Sequence, residues 1–326
     1  MKIETRAEIL DILKLPQREY LAAVAPEAKR VHREENGGRL TATAMLGYSN
    51  VCKNQCLYCG MRAANSAVPR YRIEPQDVLA SLAAAHEAGF RRVFLVSGED
   101  PKYGFDRLLQ IVAGAKALGM GWVSLACGEY ERSQYEELRA AGADEYVVKF
   151  EMSDRETFDR LNPSTSYDKR MNAIRWVKES GLLLASGNIV DYPGQTLEQL
   201  ADDILLMKEL EISWAPVIPY LPAQNTPLAA EGGPGSRELN LKEISILRLM
   251  MPHVNITAQQ PGERLADGLA SDEGNLAALA AGANFLFADL LPTAKAQAFR
   301  VVDNRITLGL DHIRDMARRS GMEFTF

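Results

Sequence analysis

The chain has few of the features that would place it quickly. Cysteine and histidine are scarce, four of each in 326 residues, and three of the four cysteines fall in one short motif. That is not the dispersed pattern of a disulfide framework, so a reducing, cytoplasmic location is expected. There is no basic run, and 37 Lys and Arg against 43 Asp and Glu leave a formal charge of −6. Phosphate binding needs clustered Lys and Arg, so nucleic acid is not an expected partner. No stretch approaches the roughly 18 apolar residues of a membrane span. The N-terminal residues, Met1 to Arg6, lead into no apolar segment of signal-peptide length. A membrane is therefore not an expected partner either. Neither a catalytic triad nor a phosphate loop is recognisable. With 47% hydrophobic and 25% charged residues, the composition is that of an ordinary globular protein, long enough for one large domain or two small ones.

Against that scarcity stand Cys52, Cys56 and Cys59, in the spacing C-x3-C-x2-C. Thiolates this close can converge on a soft metal centre, and iron–sulfur clusters favour cysteine ligands. Zinc is the competitor, but a structural zinc wants four protein ligands and a catalytic one three. Cys127 is remote in sequence and none of the four histidines adjoins the trio. A cubane held by three cysteines leaves one iron without a protein ligand. A small molecule can bind there, which suits chemistry better than electron transfer alone. Cys127 itself reads as a small apolar core residue.

The remainder of the chain alternates. Two helices are expected over residues 5–35, interrupted at Pro16 and closed by Gly37 and Gly38; they form an N-terminal extension, 1–38, expected to close the bottom of the main domain. That domain, residues 39 to 326, holds eight strand-then-helix units, with strands expected at 40–47, 92–97, 122–126, 145–151, 182–190, 214–221, 255–259 and 284–290. Such alternation implies a parallel sheet with helices outside it. Eight units fit a closed (β/α)8 barrel of the TIM type, whose site lies at the C-terminal ends of the strands. Polar residues collect there: the cysteine loop, Glu99 and Asp100, Glu129, Glu151, Asn188, Gln259 and Gln260, and Asp289. Residues 232–236, rich in glycine, read as a surface loop.

Several segments carry a narrower likeness: Ser49 through Gly60, Arg70-Tyr71-Arg72, Ser97-Gly98-Glu99-Asp100-Pro101, Cys127-Gly128-Glu129-Tyr130 and Pro193-Gly194-Gln195-Thr196. With Leu221-Pro222, Thr226-Pro227-Leu228 and Gly282-Ala283-Asn284, they resemble the biotin-synthase-like branch of the radical S-adenosylmethionine (SAM) superfamily. Within it the chain is most similar to the [FeFe]-hydrogenase maturases HydE and the methylornithine synthases PylB, from about residue 31 onward. The resemblance implies a [4Fe–4S] cluster on Cys52, Cys56 and Cys59, with SAM on the open iron. It implies reductive cleavage of SAM to a 5′-deoxyadenosyl radical that takes hydrogen from a small-molecule substrate, fed by a flavodoxin- or ferredoxin-type electron donor.

Residue by residue, it gives Tyr58 to the adenine, and Gly98 and Glu99 to the SAM amino group. Ser124 and Arg170 go to its carboxylate and Glu151 to the ribose hydroxyls. Lys149 stands where HydE proteins carry an arginine near that carboxylate. The likeness thins toward the substrate. No tyrosine follows strand eight, Gln259 and Gln260 replace small hydroxyl residues after strand seven, and Pro216 replaces the strand-six arginine of PylB. Asp100, Asn188, Gln259, Gln260 and Asp289 are the candidates for the substrate cavity; of the two glutamines, adjacent on a strand, only one is expected to face it. A HydE-like reaction on a sulfur-containing or cysteine-derived substrate is the leading expectation. A PylB-like carbon-skeleton mutase and a non-catalytic cluster-binding protein are the alternatives.

Overall fold

In the computed structural model, which describes residues 1–303 and 305–326, strand and helix alternate from Arg39 onward. The strands are β1 (Arg39–Ser49), β2 (Arg92–Ser97), β3 (Trp122–Ala126), β4 (Glu145–Val147), β5 (Leu183–Ala185), β6 (Ile189–Val190), β7 (Trp214–Ala215), β8 (Ile218–Pro219), β9 (Asn255–Ile256), β10 (Phe285–Asp289) and β11 (Glu323–Thr325). The helices are α1 (Arg6–Lys14), α2 (Gln17–Asn36), α3 (Pro75–Glu87), α4 (Phe105–Ala117), α5 (Arg132–Ala141), α6 (Arg155–Leu161), α7 (Tyr167–Glu179), α8 (Leu197–Glu209), α9 (Arg237–Met250), α10 (Asp272–Ala280), α11 (Thr293–Ala298) and α12 (Leu310–Ser320). Side-chain caps start many of the helices. Thr196, the last residue of the Pro-Gly-Gln-Thr segment, forms a reciprocal capping box with Gln199 of α8, and Ser166, Ser236 and Ser271 cap α7, α9 and α10.

The sheet order is β10-β1-β2-β3-β4-β5-β7-β9, with every pairing parallel. A bridge from Thr257 to Phe285 joins the two ends. Ala258 N donates to Phe285 O at 2.8 Å and Asn284 N to Ile256 O at 3.1 Å, which closes the eight strands into a ring. The expected fifth and sixth strands are each split in two. Pro216 has no N–H, so the ladder cannot run on from β7. β6 and β8 resume as a separate two-stranded pair beyond the ring. β11 is an addition at the foot of β1, three residues too short to stand out as a strand from sequence.

Helices α1 and α2 do not cross the bottom of the ring. Tyr20 bonds Leu241 O and the Ser245 hydroxyl, both 2.8 Å, near the start of α9, while Asn36 bonds Pro252 O beyond its end. The cap therefore lies along the outer helical layer. Inside the ring, Phe94, Trp214, Phe285 and Phe287 form an aromatic plug, Phe94 and Trp214 edge to face at 5.1 Å. That plug fills the interior partway up, and a cavity lies above it at the C-terminal ends of the strands.

Candidate active site

The segment after β1 is irregular but not loose. Arg70 folds under it and donates to four carbonyls, those of Asn50, Met61, Arg62 and Asn65, at 2.7–3.2 Å. The Asn50 amide ties in Pro69 O and Ala298 O. Lys53 N donates to Glu99 O at 2.9 Å and Leu57 N to Leu161 O at 2.9 Å. Gly98 is what allows the loop to sit so low on β2, since a Cβ there would stand 2.3 Å from Val51 O and 2.8 Å from Cys52 Cβ. The three cysteines are free and half-buried, and burial raises all their thiol pKa values, that of Cys56 to about 12. Ligation of a metal must therefore displace three protons. Among the described residues no three His, Cys, Asp or Glu side chains gather closely enough to share one ion.

Above the aromatic plug lies a cavity of about 420 Å3 whose wall includes Cys52, Gly98, Glu99, Lys149, Glu151 and Arg170. The structure thus brings one cysteine of the motif and five of the residues expected to hold SAM to one space. Glu99 accepts from Asn54 Nδ2 at 2.9 Å and pairs with Lys53 Nζ at 2.6 Å. Arg170 is half-buried, its Nε 2.6 Å from Glu129 Oε1 and its Nη1 donating to Lys149 O. Burial opposes its charge, but Glu129, Tyr58 and Glu151 outweigh burial and raise its pKa above the usual guanidinium value. Glu151 sits in the left-handed region, φ 63°, a strained conformation for a non-glycine residue and a common mark of a functional position. Its Oε2 lies 3.1 Å from Lys149 Nζ, yet accepts no hydrogen bond of proper angle and is shut off from solvent.

Several expected residues lie elsewhere. Ser124 is a full pleat below the cavity, donating to Glu145 Oε2 at 2.7 Å and accepting from Trp122 Nε1; the wall begins at Ala126, two residues further along β3. Asp100 follows Glu99 but turns away from the cavity. It binds Arg72 Nε and Nη2 at 2.6 and 2.8 Å and Ser49 Oγ at 2.8 Å. Burial pushes its carboxyl up, and these partners more than reverse that, leaving it below the usual range. Asn188 faces the outer layer, donating to Asp203 Oδ2 at 3.3 Å. The two glutamines divide. Gln259 is in the cavity wall, its Nε2 on Phe287 O at 3.2 Å, while Gln260 is buried behind it against Asn240, Val217 O and Thr257 O. Tyr58 is off the wall, its hydroxyl on Asn162 Oδ1 at 2.7 Å.

Asp289 is in the wall, as expected, but paired with Arg305. Nothing in the sequence singles out Arg305, which comes from an irregular stretch between α11 and α12. Glu129 gains a role that the sequence does not assign it, although it closes a motif at the end of β3. Gly128 beside it has φ 100°, and a Cβ there would come within 2.2 Å of Glu99 Cγ. That requirement for glycine marks the place where Glu99, bound to Lys53 and Asn54 of the cysteine loop, packs against the end of β3.

A family model for the Radical SAM superfamily matches residues 47–207. The chain is 32% identical over 302 residues to the [FeFe] hydrogenase maturase subunit HydE of Thermotoga maritima, covering 93% of this chain and 85% of that protein. It is 28% identical over 321 residues to the 3-methylornithine synthase of Methanosarcina barkeri, covering 97% and 88%. Among solved structures, that of methylornithine synthase (PylB) matches with a TM-score of 0.84 at 26% identity, over 99% of this chain and 94% of that one.

Proposed function

This chain belongs to the radical SAM superfamily, and from that premise we propose that it acts, in the manner of HydE, on a small sulfur-containing or cysteine-derived substrate. It is a radical SAM enzyme, using a [4Fe–4S] cluster and SAM. The donor set suits both groups. Three thiols on one loop, with no fourth cysteine or histidine near them in sequence, suit three irons of a cubane better than a four-ligand structural zinc. Glu151, which lines the cavity with its carboxylate beside Lys149 Nζ, offers an acceptor for a ribose hydroxyl. Cys52, Cys56 and Cys59 would hold the cluster; Glu99 and the backbone at Gly98 would take the SAM amino group, and Arg170 with Lys149 its carboxylate. When bound, the cluster and SAM supply an electron and a 5′-deoxyadenosyl radical able to take hydrogen from a substrate.

The protein's own part is to hold and to exclude. Arg70 and Gly98 fix the loop that carries the thiols. Glu129 holds Arg170 in place and would give it up, wholly or in part, to a carboxylate. Phe94, Trp214 and Phe287 seal the cavity from below. Among the described residues no helix is long and apolar enough to cross a membrane. We place the enzyme in a reducing cytoplasm, fed by a flavodoxin- or ferredoxin-type donor.

The observation that ranks HydE-like chemistry above a methylornithine synthase is Pro216. It lines the cavity where the PylB resemblance calls for an arginine to hold the amino-acid substrate. Anaerobically reduced protein with SAM and L-lysine should form no methylornithine, and lysine should not raise 5′-deoxyadenosine above background. Methylornithine in that assay, followed by mass spectrometry, would reverse the ranking.

A further inference from the structure

The cavity has two charged walls, and the SAM site accounts for one. Glu99, Glu129, Lys149, Glu151 and Arg170 surround the cluster loop. Asp289 and Arg305 stand apart from them, with the apolar surface of Phe94, Val96, Trp214 and Phe287 in the same cavity. Asp289 ends β10. Its Oδ1 accepts from Leu291 N at 2.9 Å and its Oδ2 from Arg305 Nε and Nη2 at 3.0 and 2.5 Å. The side chains are 5% and 16% exposed. The Arg305 guanidinium lies 4.8 Å from the centre of the Phe299 ring, and Nη2 reaches to 3.9 Å from Met45 Sδ.

We propose that this wall is the substrate subsite and that it recognises a zwitterion. Arg305 takes a carboxylate; Asp289, with the amide oxygen of Gln259, takes the amino group beside it. The assignment rests on the radical SAM reading of the residues around the cysteine loop. Burying an ion pair among apolar groups costs both ions their hydration, and such pairs are often no more stable than apolar replacements. A pair kept in a cavity wall therefore has a use beyond stability. Opposite charges held side by side complement an α-amino acid head group. Its entry exchanges one ion pair for two and adds no net charge to the cavity. A simple anion would meet Asp289, and a simple amine would meet Arg305. Gln259 gives its N–H to Phe287 O, which turns its amide oxygen the other way as a second acceptor. An ammonium has three donors to place, and a carboxylate has none.

The test uses the reconstituted enzyme with SAM under anaerobic reduction and reads 5′-deoxyadenosine. The standard L-amino acids are the probes; for each responder the decarboxylated amine and the deaminated acid are added, such as cysteamine and 3-mercaptopropionate for L-cysteine. At least one amino acid is expected to change the rate, up or down, at least threefold, and neither of its truncated forms to do so. Arg305→Gln and Asp289→Asn should raise the half-effect concentration about ten- to a hundredfold, and Arg305→Lys, which keeps the charge, should recover part of that.

Four results would overturn the proposal: no amino acid acts, an amine or acid acts as well, the half-effect concentration is unmoved in the variants, or Arg305→Lys shifts it as far as Arg305→Gln. A pair that merely latches its segment to β10 would change the melting temperature without moving that concentration. Wild-type protein that holds no iron or cleaves no SAM would remove the radical SAM reading together with this one. Failure in protein that does both removes this one alone.

Discussion

The two walls of the cavity are fixed by different means. On the cluster side, the main chain does most of the work: four carbonyls rest on one guanidinium, and Gly98 and Gly128 permit contacts that no side chain would allow. On the strand-eight side three side chains, Gln259, Asp289 and Arg305, stand on separate segments and are tied to the frame by a few bonds. A frame made of backbone contacts tolerates little substitution. A wall made of side chains can be rewritten one residue at a time. That is the arrangement expected of a fold that keeps its cofactors and changes its substrate, and each wall can be broken separately.

The largest effect belongs to the cysteines. Changing Cys52, Cys56 and Cys59 together to Ala should abolish the roughly four irons per chain and the low-potential EPR signal of the reduced protein. Stoichiometric zinc in the wild type, or a signal in the variant, would show the wrong metal. Next is Gly98→Ala, which leaves every donor in place. The overlap with Val51 O must be relieved by lifting the loop, and overpacking of this kind costs roughly 1–3 kcal/mol. Iron should be lost to a chelator at least about fivefold faster. Loss at the wild-type rate would mean that the loop is not held by its contact with β2.

How far each wall can be read from the sequence obeys the same division. The cluster side is local: its ligands are seven positions apart from first to last, and its glycines announce themselves in Ser-Gly-Glu and Cys-Gly-Glu. The barrel is legible too, because apolar runs and helical stripes alternate eight times. What fails is direction. Asp100 and Glu99 adjoin in sequence, yet only Glu99 reaches the cavity, and the sequence alone does not say which. Ser124 lies on the right strand but one pleat too low. Arg305 is beyond reach, since no periodicity marks an irregular segment and only the closed ring carries it back to β10.

Arg170→Ala disturbs SAM on the cluster side and leaves the iron in place. A charge-assisted pair is worth roughly 1.5–3 kcal/mol, so SAM affinity should fall about ten- to a hundredfold, with iron content unchanged. The variant also leaves Glu129 without its guanidinium, so Arg170→Lys is the useful companion. It keeps the charge but loses the fork, and should fall between. Equal SAM affinity in all three proteins would take Arg170 out of the site.

The two glutamines give the finest test, because they are neighbours in sequence on opposite sides of one wall. Gln259→Ala removes a cavity-facing amide whose bond to Phe287 O is 3.2 Å long. Neutral hydrogen bonds contribute about 0.5–1.5 kcal/mol, so the expected change is a rise of about two- to tenfold in 5′-deoxyadenosine formed per substrate consumed. Iron content and SAM affinity should stay those of the wild type. Gln260→Ala should do the reverse. Its amide holds Asn240, Val217 O and Thr257 O in a buried setting, and truncation leaves those groups without partners. Buried unpaired groups cost roughly 1–3 kcal/mol, so the melting temperature should drop by a few degrees while the ratio of 5′-deoxyadenosine to product holds. If Gln260→Ala uncouples the reaction and Gln259→Ala does not, strand seven faces the cavity in the opposite register. If neither does, strand seven does not read the substrate, and its recognition falls to Asp289 and Arg305.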